Sequence, residues 1–258
     1  MNDSTAIELR DIRVSRAGHG KRRRILDGVS FTLSANEVGV IAGPNGVGKT
    51  TLFEVLINSM RADSGTVQID GGLAQEATLG VVWQRTYQSL MPWMTMLDNI
   101  ALPLKLAGVP RRERCRRVHE LCERTNLSVP LSRPPQATSG GEQQKACILR
   151  ALARGASMLL LDEPFSNLSY DASIELLGHL QRIRVDSGLT ILLISHSPEL
   201  TVFMADVVIP FRSMPVRVGA QDMIRIECPY PSPRPLRWMH EESFQQQVRT
   251  VRAGTREQ

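Results

Sequence analysis

Gly43-Pro44-Asn45-Gly46-Val47-Gly48-Lys49-Thr50 has the spacing G-x-x-x-x-G-K-[ST]. Glycines at those positions let the backbone turn back so that its N–H groups face phosphate oxygens. A helix starting near Lys49 would add the positive end of its dipole. The Lys49 ammonium is expected to reach the outer phosphates of a nucleoside triphosphate. The Thr50 hydroxyl is expected to ligate Mg²⁺, and Thr51 is assigned to the same site. ATP and Mg²⁺ are therefore the expected ligands.

Two carboxylates follow the apolar run Met158-Leu159-Leu160-Leu161, namely Asp162 and Glu163. Such a run reads as a buried strand. The carboxyl ends of strands in a parallel sheet face the ligand crevice. Two acids there need a cation, and Mg²⁺ supplies it. Asp162 is then a metal partner, and Glu163 is placed to polarise an attacking water. A second apolar run, Thr190 to Ile194, is closed by Ser195-His196, where an imidazole can donate to a terminal phosphate oxygen. Thr138-Ser139-Gly140-Gly141-Glu142 opens a further helix. Ser139 and Glu142 have the capping-box spacing, and the glycines leave backbone N–H groups bare for an anion.

The elements that must position these groups are legible as alternating patterns. Ile7 to Val14 and Val29 to Leu33 alternate like half-buried strands, and Val38 to Ala42 is a buried strand before the phosphate loop. Further strands are expected at Thr66 to Ile69, Leu79 to Trp83 and Val207 to Ile209, with helices through Leu52 to Leu56, after Ser139 and near Ile174 to Ile183. Strands alternating with helices predict an α/β fold with a mainly parallel sheet. Residues from about Met94 to Pro135 change to helical periodicity rich in arginine and read as a helical subdomain. The tail from Ser213 carries Pro229, Pro231, Pro233 and Pro235 and gives no clear pattern.

Composition narrows the classes. The 258 residues, 42% apolar, suffice for one sizeable α/β core. No apolar run approaches the ~18–20 residues of a spanning helix, and Met1 to Arg10 does not read as a secretion signal. The net charge of +5 concentrates in Lys21 to Arg24 and Arg111 to Arg117, which read as solvated faces rather than as a nucleic-acid surface. The four cysteines read as reduced thiols. Cys115, His119 and Cys122 share a helical face, either as zinc ligands or as a buried face with Val118. The lack of a fourth ligand nearby in sequence favours the buried face.

Taken together and in order, these motifs resemble the ATP-binding cassette (ABC) ATPases over Ile7 to about Pro210. The resemblance implies a P-loop NTPase core with a mainly parallel sheet, an antiparallel β subdomain and a helical subdomain. It places the core at 1–93 and 136–212, the helical subdomain at 94–135 and a C-terminal extension at 213–258. It makes Gln84 the glutamine that senses Mg²⁺ and water, Ser139 to Glu142 the signature facing the ATP of an opposite subunit, and His196 the switch histidine. A membrane permease and a second ATPase subunit, identical or different, are the implied partners, with a solute-binding protein beside them and no nucleic acid. The implied location is peripheral, on the cytoplasmic side of the cell membrane.

Leu90-Met91-Pro92-Trp93-Met94-Thr95-Met96-Leu97-Asp98-Asn99 is similar to the LLPWLTVLDN stretch of nitrate/sulfonate/taurine-type importers. An ATPase energising such import is the expected function. An exporter, a lipid-trafficking ATPase and a degenerate non-transport regulator share the same residues. Arg16 stands where the family carries an aromatic on adenine. Thr138, Ser169 and Ser197 also depart from the family pattern, at positions usually Leu, Asp and Asp.

Overall fold

A computed structural model describes residues 5–18, 21–70, 72–73 and 78–256. Along the chain run β1 (Thr5–Gly18), β2 (Lys21–Ser34), β3 (Val38–Ala42), α1 (Lys49–Leu56), β4 (Ser64–Ile69) and β5 (Gly72–Leu73). Next come β6 (Leu79–Val82), α2 (Thr86–Ser89), α3 (Met96–Ile100), α4 (Leu102–Leu106), α5 (Arg111–Thr125), α6 (Gly140–Leu152), β7 (Met158–Asp162) and α7 (Tyr170–Ser187). The chain closes with β8 (Thr190–Ser195), α8 (Pro198–Met204), β9 (Val207–Pro210), β10 (Val216–Val218), β11 (Ile224–Arg225) and α9 (Glu242–Thr255). Two compact units result, one of residues 1–77 with 190–258 and one of 78–189.

In the first unit, β1 pairs antiparallel with β2 and β4, and β4 pairs antiparallel with β5. Alternation puts Ile7 and Leu9 inside, and an irregularity at Asp11 (φ +50°) resets the phase so that Ile12 and Val14 face inward as well. The predicted strands at Ile7 to Val14 and Val29 to Leu33 are therefore parts of one long hairpin. A second layer sets β3 parallel to β8 and β9, with β11 antiparallel at its edge. Every residue of β3, β8 and β9 is buried, the continuous apolar pattern of a strand covered on both faces. Each large side chain removed from water there contributes about 1.5–3 kcal/mol.

The tail, which has no clear sequence pattern, is ordered structure in this unit. α9 packs on α8. Trp238 and Phe244 stack edge-on at 5.0 Å and meet Phe203 of α8. Arg234, 7% exposed, donates to the carbonyls of Val202, Phe203 and Ala205 at 2.8–3.1 Å and pairs with Asp206 at 2.9 Å. It thereby satisfies the C-terminal carbonyls of α8 with a cation, where the helix dipole favours one.

In the second unit, β6 pairs parallel with β7. Helices α3 and α2 pack on α6, and α5 contacts α4, α6 and α7. The α5 face expected to be buried through Cys115, His119 and Cys122 needs correction. The buried stripe is Val118, Leu121 and Thr125, while His119 is exposed and both cysteines are half-buried. Spacing of three and four residues from Val118 turns the inward face toward Leu121 and Thr125. Among the described residues no group of three His, Cys, Asp or Glu could hold a metal ion. Within the basic runs, Arg22 pairs with Asp63, Arg24 with Asp27, and Arg116 and Arg117 with Glu113, all at the surface. His19 and the Lys21 side chain lie outside the described residues.

Candidate functional site

The phosphate loop leaves the carboxyl end of β3. Gly43 has no room for a side chain, since an added Cβ would lie 1.9 Å from the Phe211 carbonyl oxygen. Gly48 has φ +116°, and a Cβ there would lie 2.7 Å from Ile25 Cγ2. Both residues must be glycine for the loop to lie this close to the chain after β9 and to β2. Lys49 is 6% exposed, and its Nζ donates to the carbonyls of Gly43 at 2.9 Å and Pro44 at 2.8 Å. The ammonium is thus folded back over the loop. α1 begins at Lys49 with Gly48 as its N-cap and no side-chain cap, so no side chain of the cap residue competes for the amides at that end. Asn45, Gly46 and Thr50 are exposed, while Val47 and Thr51 are buried.

Register brings His196 to this loop. Ala42 is paired with Ser195, so Gly43 and His196 leave neighbouring strands at the same level. Both line a cavity of about 560 Å³, together with Pro44, Asn45 and, from the C-terminal segment, Thr255 and Arg256. Arg16, on β1, forms an ion pair with Glu54 of α1. The loop fits a nucleotide's phosphates on these grounds: glycines that a Cβ would clash with, a lysine ammonium over the loop, and a helix start without a side-chain cap.

The second unit holds an acidic cluster of its own. Asp162 ends β7 and is 5% exposed. Glu163 follows with φ +46°, a left-handed conformation that glutamate rarely adopts and that costs about 1–2 kcal/mol. Val82 is paired with Leu161, so Gln84 and Asp162 emerge at one end of the β6–β7 pair and share a cavity of about 330 Å³. The Gln84 amide donates to the Glu163 carboxylate at 2.8 Å, and Asn167 Nδ2 donates to the Gln84 carbonyl at 3.4 Å. Hydroxyl, amide and carboxylate oxygens of this kind are the hard donors Mg²⁺ takes.

The signature segment caps α6. Ser139 Oγ accepts from the Glu142 N–H at 3.3 Å, and the Ser139 N–H donates to the Glu142 carboxylate at 2.7 Å. Hydrogen bonds from the Ser139 backbone and hydroxyl lower the Glu142 pKa below the usual carboxylate value. A Cβ on Gly140 or Gly141 would meet only ordinary contacts near 3.9 Å, and neither has a positive φ. These glycines are not demanded by the chain's own packing, which leaves a bare backbone for an outside group. The departures from the family pattern also have local roles. Ser169 caps α7, Ser197 caps α8, and the Thr138 hydroxyl donates to the Pro135 carbonyl at 2.6 Å.

Sequence reasoning missed the left-handed turn at Glu163, the Phe211 carbonyl against Gly43, Asn167 and the C-terminal wall beside His196. Glu163-Pro164 before Phe165 carried no turn signal for φ > 0, and Phe211 meets Gly43 only through sheet register.

The ABC transporter family model matches residues 26–166. The taurine import ATP-binding protein TauB of Chromobacterium violaceum is 36% identical over 208 residues, 80% of this chain and 79% of that protein. The molybdate/tungstate import ATP-binding protein WtpC of Pyrococcus horikoshii is 37% identical over 196 residues, 74% of this chain and 56% of that one. The methionine import ATP-binding protein MetN of Rhizobium etli is 38% identical over 191 residues, 70% of this chain and 52% of that one. The chain thus spans little more than half the length of the last two. Among solved structures, cbiO1 from Clostridium perfringens, part of the ABC transporter complex cbiONQ, superposes with a TM-score of 0.76 at 21% identity, over 97% of this chain and 98% of that one. The dimeric ATP-binding cassette MJ0796 bound to ADP and Pi gives 0.73 at 22% identity, over 86% and 99%. Both likenesses are to the fold alone.

Proposed function

The chain belongs to the ABC transporter family, as a member of its ATP-binding subunits, and from that premise we propose that it binds ATP with Mg²⁺ and hydrolyses it to energise import of a solute through a membrane permease. The observation that carries the reading is the Lys49 ammonium folded over Gly43 and Pro44, with His196 at the same level of the neighbouring strand. Bound Mg²⁺ would neutralise phosphate charge. Gly43 to Thr51 hold the phosphates, with Thr50, Gln84 and Asp162 as the metal's ligands. Glu163 accepts a proton from the attacking water, and His196 donates to the terminal phosphate. Arg16, tied to Glu54, meets the nucleotide by stacking its guanidinium on the base.

Ser139, Gly140, Gly141 and Glu142 face the nucleotide of a second ATPase subunit, in a dimer held at the cytoplasmic side of the cell membrane. No helix of the described residues is long and apolar enough to cross a membrane. In this reading the permease is the membrane partner. The working division is a core of 1–93 and 136–212, a helical subdomain of 94–135 and an extension of 213–258. Within the importers we favour the nitrate/sulfonate/taurine class, with a solute-binding protein as the further partner. The run Leu90 to Asn99 and the relationship to the taurine import protein support that choice. Isolation of the chain with the membrane subunit it retains, followed by ATP turnover with and without taurine, nitrate and an alkanesulfonate, tests it. Stimulation by one of these solutes supports the class; stimulation only by methionine or molybdate, added in parallel, contradicts it.

A further inference from the structure

The second unit holds a cavity of about 420 Å³ away from Gln84, Asp162 and Glu163. Its floor is apolar, formed by Leu104 of α4, Leu121 of α5 and Leu152 of α6, each less than a tenth exposed. Its rim carries Arg117, Arg124 and Arg154. Arg117 is ion-paired with Glu113, whereas Arg124 and Arg154 have no ion pair among the described residues. The one acid on the rim, Glu120, is already paired with Arg116 outside the cavity. The rim therefore keeps an excess of positive charge over a greasy floor.

Neither half explains the other. A bare inorganic anion is strongly hydrated and gains nothing from leucine side chains, and a neutral hydrocarbon gains nothing from guanidinium forks. A ligand with both parts satisfies both: a phosphate, sulfonate or carboxylate takes paired N–H donors from the forks, and an alkyl chain covers the leucines. The volume lies in the ~300–1,000 Å³ range of small-molecule sites.

We propose that this cavity binds an amphipathic anion, an alkyl chain ending in a phosphate or sulfonate. The ligand enters either as a dissolved monomer or as a lipid of an acidic bilayer. The cavity touches none of the nucleotide-site residues, so binding there leaves basal ATP turnover unchanged.

The test is calorimetric titration of the full chain with butyl, hexyl and octyl phosphate, with inorganic phosphate as the control. Affinity should rise about threefold to fourfold for each methylene added and fall with added salt. Arg124→Glu and Arg154→Glu should each weaken octyl phosphate at least ~tenfold. Ala107→Trp should block the cavity with every charge in place. Circular dichroism and ATP turnover show that these surface variants remain folded. Co-flotation with phosphatidylglycerol vesicles, lost in the arginine variants, assigns the ligand to the bilayer, and binding of the monomers alone assigns it to solution. Absence of binding in both arms, inorganic phosphate bound as tightly as octyl phosphate, or charge-reversed variants within twofold of wild type would overturn the proposal.

Discussion

The side-chain amide of Gln84 donates to the carboxylate of Glu163 at 2.8 Å, and Glu163 holds it from a left-handed backbone. The bond fixes one carboxylate oxygen of a residue whose conformation is already strained. Strain of this kind persists where surrounding structure over-determines it, and it clusters at sites of function. We expect Glu163→Gln to lower ATP turnover by about 10²–10⁴-fold, the range for loss of a general base, with nucleotide affinity retained. Gln84→Ala should cost less, since it removes the amide that orients Glu163 and one proposed metal ligand but leaves the Glu163 carboxylate in place. Glu163→Gly should relieve the left-handed strain and abolish turnover. Single-turnover assays with thermal melts of all three would separate these effects.

Gly43→Ala should be among the most damaging single-methyl changes in the chain. Its Cβ would sit 1.9 Å from the Phe211 carbonyl oxygen, so strand β3 and the chain after β9 must separate. A loss of about 3 kcal/mol or more is expected, at or beyond the upper end of the usual range for a point mutant. Gly140→Ala is the control, because its methyl would meet only a contact near 3.9 Å. It should leave stability within ~1 kcal/mol. Denaturant unfolding of the two variants gives the comparison.

Arg234 is the keystone of the C-terminal segment. Replacing it with alanine leaves the carbonyls of Val202, Phe203 and Ala205 without its guanidinium and removes its stacking at 5.4 Å on Trp238. A loss of about 2–4 kcal/mol follows from desolvated carbonyls and a broken buried pair. At this chain size that is a fall of roughly 5–15 °C in Tm. A Tm unchanged in Arg234→Ala would show that the tail does not support α8.

The signature cap has a pH dependence of definite sign. Ser139 lowers the Glu142 pKa in the folded chain, so the capping contribution is full above the usual carboxylate pKa and is lost as pH falls through the lowered value. Ser139→Ala should cost about 1 kcal/mol at neutral pH and return the Glu142 titration toward the usual range. An NMR titration of the Glu142 side chain in both proteins reads the shift directly.

The parts of the fold legible in sequence were those governed by short-range pattern. β3 and the loop after it could be read because a continuous apolar run ended at a glycine motif. The Ser139–Glu142 box could be read because capping is local. The C-terminal segment could not, because α9 is short of apolar residues and Phe244, Val248 and Val251 find their partners only once α8 is in place. The α5 face was misread because alternating Cys and His spacing is also compatible with an inward stripe through Val118, Leu121 and Thr125. Arg16 meets Glu54 across 38 residues of chain, a pairing that no local pattern records.

Titration of the purified chain with a fluorescent ATP analogue in Mg²⁺, for wild type and Lys49→Ala, tests the central claim most directly. Wild type should bind saturably and be displaced by ATP. Lys49→Ala should bind at least ~tenfold more weakly, as expected from loss of one charge-assisted contact to phosphate. No binding by the folded wild type, or equal binding by the two proteins, would contradict it.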